Sequence, residues 1–210
     1  MVCGIAALLL ASALIGAQPT VAATPLLKRI VLTPGQIGAG YRMHMIAQGN
    51  IVKNQVTLDL CDLEFPSERL RKARLQMAYL HPGGVTQISN EVVSYMTGGA
   101  IRALLELHEA LKTCPRHPVT GPVQGSVPTR HRLTRLTVPH LSLPYLAVLD
   151  HLSARIGGKR VSRSAIAVYE IRANVLSAIY TDGTGSISAQ RRVAFRAAAA
   201  SAKNLTRALP

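Results

Sequence analysis

The chain contains no tryptophan, and phenylalanine and tyrosine together make up only 4% of it, so a platform for stacking nucleic-acid bases is poorly supplied. No specific nucleic-acid partner is expected. Acidic residues are also scarce: 10 Asp and Glu stand against 24 Lys and Arg, a formal charge of +14. A chain this basic is drawn to polyanions through counterion release. No Gly-x-Ser-x-Gly elbow occurs, which removes the commonest signature of an exposed nucleophilic serine. The seven histidines show no i, i+4 pair of the kind that grips zinc. Cys114-Pro115-Arg116-His117 has two ligand types but no second close pair, so neither a metal nor a cofactor is expected. Gly183-Thr184-Gly185 resembles a dinucleotide loop, yet Ser188 fills the third glycine position.

Long apolar runs are absent beyond Ile5–Ile15. Met1 to Ala17 carries no charged side chain, Pro19 breaks any helix, and Val21-Ala22-Ala23 presents small residues to a signal peptidase. Residues 1–23 therefore read as a signal peptide cleaved before Thr24, although no Lys or Arg precedes the apolar run. The run is shorter than the roughly 20 residues a spanning helix needs, so no transmembrane helix is expected in the mature chain. An uncleaved anchor is the alternative. Cys3 precedes the run and is not a lipidation site. Its removal leaves Cys61 and Cys114 as an even pair in an oxidising compartment, which reads as a disulfide closing a loop of about 54 residues. Two buried free thiols are the other reading.

Pro25, Pro34, Gly35, Gly38 and Gly40 mark residues 24–48 as an irregular lead-in lying over the domain. One domain is expected over 49–210, in halves 49–115 and 130–210. A Pro- and Gly-rich surface connection joins them, punctuated by Pro115, Pro118, Gly121, Pro122, Gly125 and Pro128.

In the first half, Val52 to Cys61 reads as extended and Arg69 to Arg74 as a short basic helical turn. Leu75, Met77 and Tyr79 alternate with Arg74, Gln76 and Ala78, and 88–96 forms the partner strand of an antiparallel hairpin. Thr97 is the expected N-cap of a helix with the apolar stripe Ile101, Leu104, Leu105, Leu107 and Leu111, ending at Cys114-Pro115.

In the second half, strands are expected at Leu133–Val138, Leu146–Ile156, Ala165–Ile171 and Val175–Tyr180. A final helix over Ser188–Leu209 has Ala194, Ala198, Ser201, Leu205 and Leu209 on its apolar face. The fold class is α+β: an antiparallel sheet with two long helices packed on it, the hairpin-then-helix order occurring twice.

Three functional readings follow. The first is a secreted, non-enzymatic binding domain at the cell envelope whose cleft takes a ligand. The second is a cell-wall hydrolase using a carboxylate pair drawn from Asp59, Asp62 and Glu64. The third is a wall-adhering protein that binds an anionic envelope polymer through Arg191, Arg192, Arg196, Lys203 and Arg207. Those residues could equally be a solvated helix face. Backbone N–H groups between Gly185 and Ala189, beside Arg191 and Arg192, are a candidate for a single anion.

Gln55-Val56-Thr57-Leu58-Asp59-Leu60-Cys61, Phe65-Pro66-Ser67-Glu68, Ser89-Asn90-Glu91-Val92-Val93, the helix ending Cys114-Pro115, Asn174-Val175 and the Ala-rich final helix carry a resemblance. Over about residues 30–208 the chain resembles exported actinobacterial sensor-domain-like proteins. It is similar through them to the extracellular domain of mycobacterial PknH-type serine/threonine kinases. The resemblance implies a single-sheet domain with a cleft and a ligand. It transfers no functional residue, and those kinase domains generally carry two disulfides where this chain keeps one cysteine pair.

Overall fold

Residues 71–95 and 145–183 are rich in β-branched and aromatic residues, and they form the long strands of one antiparallel sheet. The computed structural model describes residues 25–82, 86–122, 125–183 and 185–210, so the expected signal peptide lies outside the described residues. In chain order the elements are α1 (Pro25–Ile30), α2 (Pro34–Ile37), β1 (Arg42–Met45), β2 (Arg71–Leu80), β3 (Thr86–Tyr95), α3 (Gly99–Thr113), β4 (Thr129–Arg130), β5 (Leu133–Leu136), β6 (Tyr145–Ile156), β7 (Lys159–Arg172), β8 (Val175–Gly183) and α4 (Ile187–Ala208). Two 3-10 turns, Leu60–Asp62 and Pro66–Leu70, precede β2. The sheet runs β1-β2-β3-β8-β7-β6-β4, with β5 also paired to β6. The fold is α+β with an eight-stranded sheet and two long helices.

The helices lie on opposite faces. On one, α3 packs Ala100, Ala103, Leu104 and Leu107 against Val93, Leu146, Tyr169, Leu176 and Ala178. On the other, Ala194, Ala197 and Ala198 of α4 meet Ile88, Leu149, Ile166, Val168 and Ile179. Alanines let α4 approach the strands closely. Burial on both sides explains why β3, whose apolar side is ambiguous in sequence, carries buried residues at both phases: Ile88, Asn90 and Val92 face α4, while Glu91, Val93 and Tyr95 face α3.

Several expectations are corrected. Residues 24–48 are not an irregular cover: α1 inserts Leu27 and Ile30, α2 inserts Ile37 and the link between them inserts Leu32, all at 0% exposure, and β1 extends the sheet edge. The apolar residues between the prolines are core residues of short helices. Val52 to Leu60 is not a strand. Its carbonyls at Val52 and Gln55 accept from Arg71, so side-chain donors replace a ladder. The helical turn sits at Pro66–Leu70, and Arg71 already belongs to β2. In α3 the N-cap is Gly98, at φ 78°, a left-handed conformation that suits glycine better than Thr97. Ile101 and Leu105 are exposed, and alanines take their place in the buried stripe. Finally, β7 begins at Lys159 rather than Ala165, because its first residues form a ribbon exposed on both faces and show no alternation.

Glu170 of β7 is fully buried opposite Ser177, on the α4 side, and neither carboxyl oxygen has a hydrogen-bond partner. Ser201 lies within its reach, but that hydroxyl donates to Ser177 at 2.8 Å. Burial pushes the Glu170 carboxyl up to about 8. Its unfolded value is near 4.5, so the folded state holds a proton that the unfolded state releases between those limits. Stability is intact below the lower limit and falls as pH rises through the upper one, by at most about 1.4 kcal/mol per pH unit. Glu170→Gln should therefore melt like the wild type at pH 4 and at a higher temperature than the wild type at pH 9. Parallel melting curves at both pH values would remove this role.

Candidate functional site

On the α3 face, the chain between β1 and β2 and the Pro- and Gly-rich connection lean over β6, β7 and β8. They enclose a cleft of about 470 Å³. Its wall includes Asp59, Asp62, His131, Asp150, Tyr169 and Tyr180. Gly125, Ser126 and Val127 also line it, so the connection is part of the site as well as a link between halves.

The segment bearing Asp59 and Asp62 is held in an unfavourable backbone conformation. Cys61 and Asp62 both have positive φ, 62° and 55°, where a Cβ is disfavoured. Three contacts keep them there. Cys61 is disulfide-bonded to Cys114, just beyond α3, with a Cα–Cα distance of 5.6 Å. Asp62 accepts from His131 Nε2 at 3.0 Å. Gly121 packs so closely on Asp62 that an added Cβ would lie 2.5 Å from its carboxyl oxygen. A residue larger than glycine there would displace the carboxylate.

His131 binds two acids at once, because its Nδ1 donates to Asp150 Oδ2 at 2.6 Å. Burial alone would depress the imidazole, but the Asp150 and Asp62 carboxylates overcome it and raise His131 to about 9. Both ring nitrogens are therefore donors at neutral pH. Relative to an ordinary histidine, this pairing stabilises the fold below about pH 6.5, and the contribution is lost as pH rises through about 9.

Asp59 remains accessible to solvent, yet protein surrounds it on most sides at the cleft wall. That burial, together with the nearby charges of Glu91 and Asp62, raises its carboxyl to about 6. Deeper in, the rings of Tyr169 and Tyr180 meet edge to face at 5.8 Å, and the Tyr180 hydroxyl donates to the Thr57 carbonyl. Arg163 pairs with Asp182 at the margin. Near neutral pH the cleft thus holds four carboxylates against two cations, so it is acidic within a strongly basic chain.

A larger groove of about 1140 Å³ lies on the β2 side, lined by Phe65, Glu68, Arg71, Arg74, Gln76 and others. Three of its five charged residues, Glu68, Arg71 and Arg74, are spent on the protein itself, while Glu64 and Arg69 stand exposed at its rim. Arg74 pairs with Glu91 at 2.6 Å and donates to the carbonyls of Gln48 and Ile51, while Arg71 pairs with Glu68. This network ties down the chain between β1 and β2, leaving the acidic cleft as the better candidate.

Of the three carboxylates singled out in sequence, Asp59 and Asp62 meet in the cleft, whereas Glu64 lines the larger groove. Asp150 and His131 were missed, since nothing local marks residues that meet Asp62 only through the fold. The cations of α4 stand exposed along its outer face: Arg191 lies over the Phe195 ring, Arg196 donates to the Ile37 carbonyl, and Arg192, Lys203 and Arg207 point to solvent. At the α4 N-terminus Ser186 Oγ already accepts from the Ala189 amide, and the Gln190 amide donates to Ser186. Two of the amides there serve the chain itself. Among the described residues no group of three or more His, Cys, Asp or Glu is arranged to hold a metal ion.

No family model matches the chain, and no curated protein does. Among solved structures, the extracellular domain of PknH from Mycobacterium tuberculosis superposes with a TM-score of 0.55 at 13% identity, covering 86% of this chain and 95% of that one. A Mycobacterium smegmatis protein, the Rv0999 ortholog, aligns at 8% identity with a TM-score of 0.40, over 81% of this chain and 97% of its own. The first likeness shows that this chain has the fold of the PknH extracellular domain, as the sequence resemblance implies. No helix among the described residues is long and apolar enough to cross a membrane.

Replacing both cysteines, Cys61→Ser with Cys114→Ser, releases the loop they close, worth about 4 kcal/mol in the chain-entropy account. The melting temperature should fall by about 10 °C. Hydrogen exchange should rise first at residues 57–62. Unchanged exchange there would show that the segment is held without the bridge.

Proposed function

We propose that this chain is a secreted, non-enzymatic binding domain of sensor type that works at the cell envelope. Its ligand is a compact polar molecule carrying a cationic or donor-rich group. The observation that carries this reading is the acidic cleft, with the accessible carboxyl of Asp59 raised to about 6 beside a fixed Asp62–His131–Asp150 cluster. Its volume of about 470 Å³ falls in the range of small-molecule sites. The tyrosine pair adds an apolar surface with hydroxyls, and the carboxylates supply acceptors for amine and hydroxyl donors. Export is supported by the apolar, uncharged first residues and by the bridged cysteine pair.

The ligand's charge sets the pH dependence. Above pH 6 Asp59 is ionised and attracts a cation, whereas below it the carboxyl is neutral and that attraction is lost. Titrating the protein with glucosamine while recording amide NMR shifts should perturb residues 59–62, 131, 150 and 180. The affinity at pH 7.5 should exceed that at pH 5 by roughly fivefold or more, the Coulomb effect of one partly desolvated charge. Asp59→Asn should flatten this difference. Shifts confined to another surface, or no binding by any cationic polyol, would overturn the reading.

The hydrolase reading keeps one supporting observation: the raised Asp59 carboxyl sits close enough to Asp62 for their charges to interact, as an acid beside a second carboxylate would. His131 already occupies Asp62, which favours binding over turnover. Release of reducing ends from wall glycan by the wild type but not by Asp59→Asn would establish hydrolysis instead.

A further inference from the structure

Beyond the cleft, the distal end of the β6–β7 ribbon carries a concentration of arginine that neither the binding reading nor the fold uses. Two hollows of about 500 and 370 Å³ share Arg130, Ser153 and Arg160 among their lining residues. The first adds Arg155, and the second adds Arg132, Arg163, Ser162 and Ser164. No carboxylate lines either one. Between Asp150 and Glu170 the sequence itself contains no acidic residue. Arg163 is paired with Asp182, but the guanidinium groups of Arg130, Arg132, Arg155 and Arg160 have no ion pair or hydrogen bond within the described residues. Four unpaired arginines held this close repel one another, and an anion relieves that repulsion.

Register shows what shape of anion fits. Ser153 pairs with Ser162, Arg155 with Arg160, and His151 with Ser164, so these residues share one face of the ribbon. Ala154 with Val161 and Ile156 with Lys159 occupy the other. Along β7, Arg160, Ser162 and Ser164 recur every second residue, a spacing of about 7 Å. Guanidinium and hydroxyl groups repeated at that interval match an extended chain of phosphate groups better than a single ion. A lipid surface fits less well. The exposed apolar residues Ile156 and Val161 lie on the face opposite the arginine pair, so a ribbon lying with its apolar side in a bilayer would turn Arg155 and Arg160 away from the headgroups. Bases have no Phe, Tyr or Trp ring to stack on here, and the one imidazole, His151, is tied to Ser164.

We propose that this arginine and serine face of the ribbon is a binding site for an extended phosphate-bearing polyanion. Its arginine and serine side chains lie on the face of the sheet opposite the acidic cleft, with Leu152 and Arg163 bordering both, and it is separate from the basic stripe of α4. Anchoring to such a polymer would hold the domain in place while the cleft samples its own ligand.

Linear inorganic polyphosphate serves as the probe, with the full chain and two triple variants of equal charge loss. Arg130→Ala with Arg155→Ala and Arg160→Ala should weaken binding roughly tenfold or more and lower the slope of log K against log salt by about 2. Arg192→Ala with Lys203→Ala and Arg207→Ala should leave both within twofold of the wild type. These positions are all exposed, so each variant is expected to fold, and its melting curve verifies that. Equal loss in the two triples would reduce the effect to net charge and overturn the site. So would binding to phosphatidylglycerol vesicles without binding to polyphosphate.

Discussion

The structure depends most on the pinning of one strained segment. Cys61 and Asp62 occupy left-handed backbone conformations that neither residue type favours, and they are kept there by a covalent link to the end of α3 and by a charged hydrogen bond to His131. His131 in turn is fixed by Asp150 of β6. A helix terminus and strand β6 are thereby joined through a four-residue stretch, Asp59 to Asp62, that forms one wall of the cleft. Without that restraint, the chain between β1 and β2 would retain its arginine contacts at Val52 and Gln55 but lose its seat over β6.

Charge in this molecule is segregated rather than spread. The net balance is strongly positive, yet the cleft gathers Asp59, Asp62, Asp150 and Asp182 and raises two of its titratable groups, Asp59 and His131, by opposite routes: crowding by protein and by like charges for the acid, carboxylate neighbours for the imidazole. The opposite face of the β6–β7 ribbon gathers arginines with no acid among them. Such separation is costly to keep unless each region meets a complementary charge. It gives the domain two chemically distinct surfaces, one suited to a small cationic or donor-rich ligand and one to an extended anion.

Much of the fold was legible because the strands carry their apolar residues in readable runs. Leu75, Met77 and Tyr79 alternate, β6 and β8 are nearly continuous, and Gly157-Gly158 marks its hairpin with two positive φ values. The pair Cys61 and Cys114 was readable from the even count of cysteines that follows the apolar N-terminal run. What escaped was whatever depends on distant neighbours. Val56, Leu58 and Leu60 alternate like a strand, but Leu58 is buried from an unpaired coil and Leu60 from the 3-10 turn that follows it. Residues 159–164 form a strand that no core rewards, so their polarity hid it. Ile101 and Leu105 were placed in the buried stripe because they are apolar, while the close packing of α3 selected alanines instead. The His131–Asp62 contact spans 69 residues of sequence and has no local signature. The ribbon arginines did leave one: the acid-free interval from 151 to 169.

The central claim is that the sulfur bridge positions the cleft's acidic wall against its histidine. The most direct measurement is an NMR titration of the His131 ring, made once on the oxidised protein and once after reduction of the bridge. The account predicts a pKa near about 9 with the bridge intact. It predicts a fall of about one unit or more towards the free value after reduction, as Asp62 withdraws. An imidazole that titrates at the same pH in both states would contradict it, because the wall would then stand without the bridge.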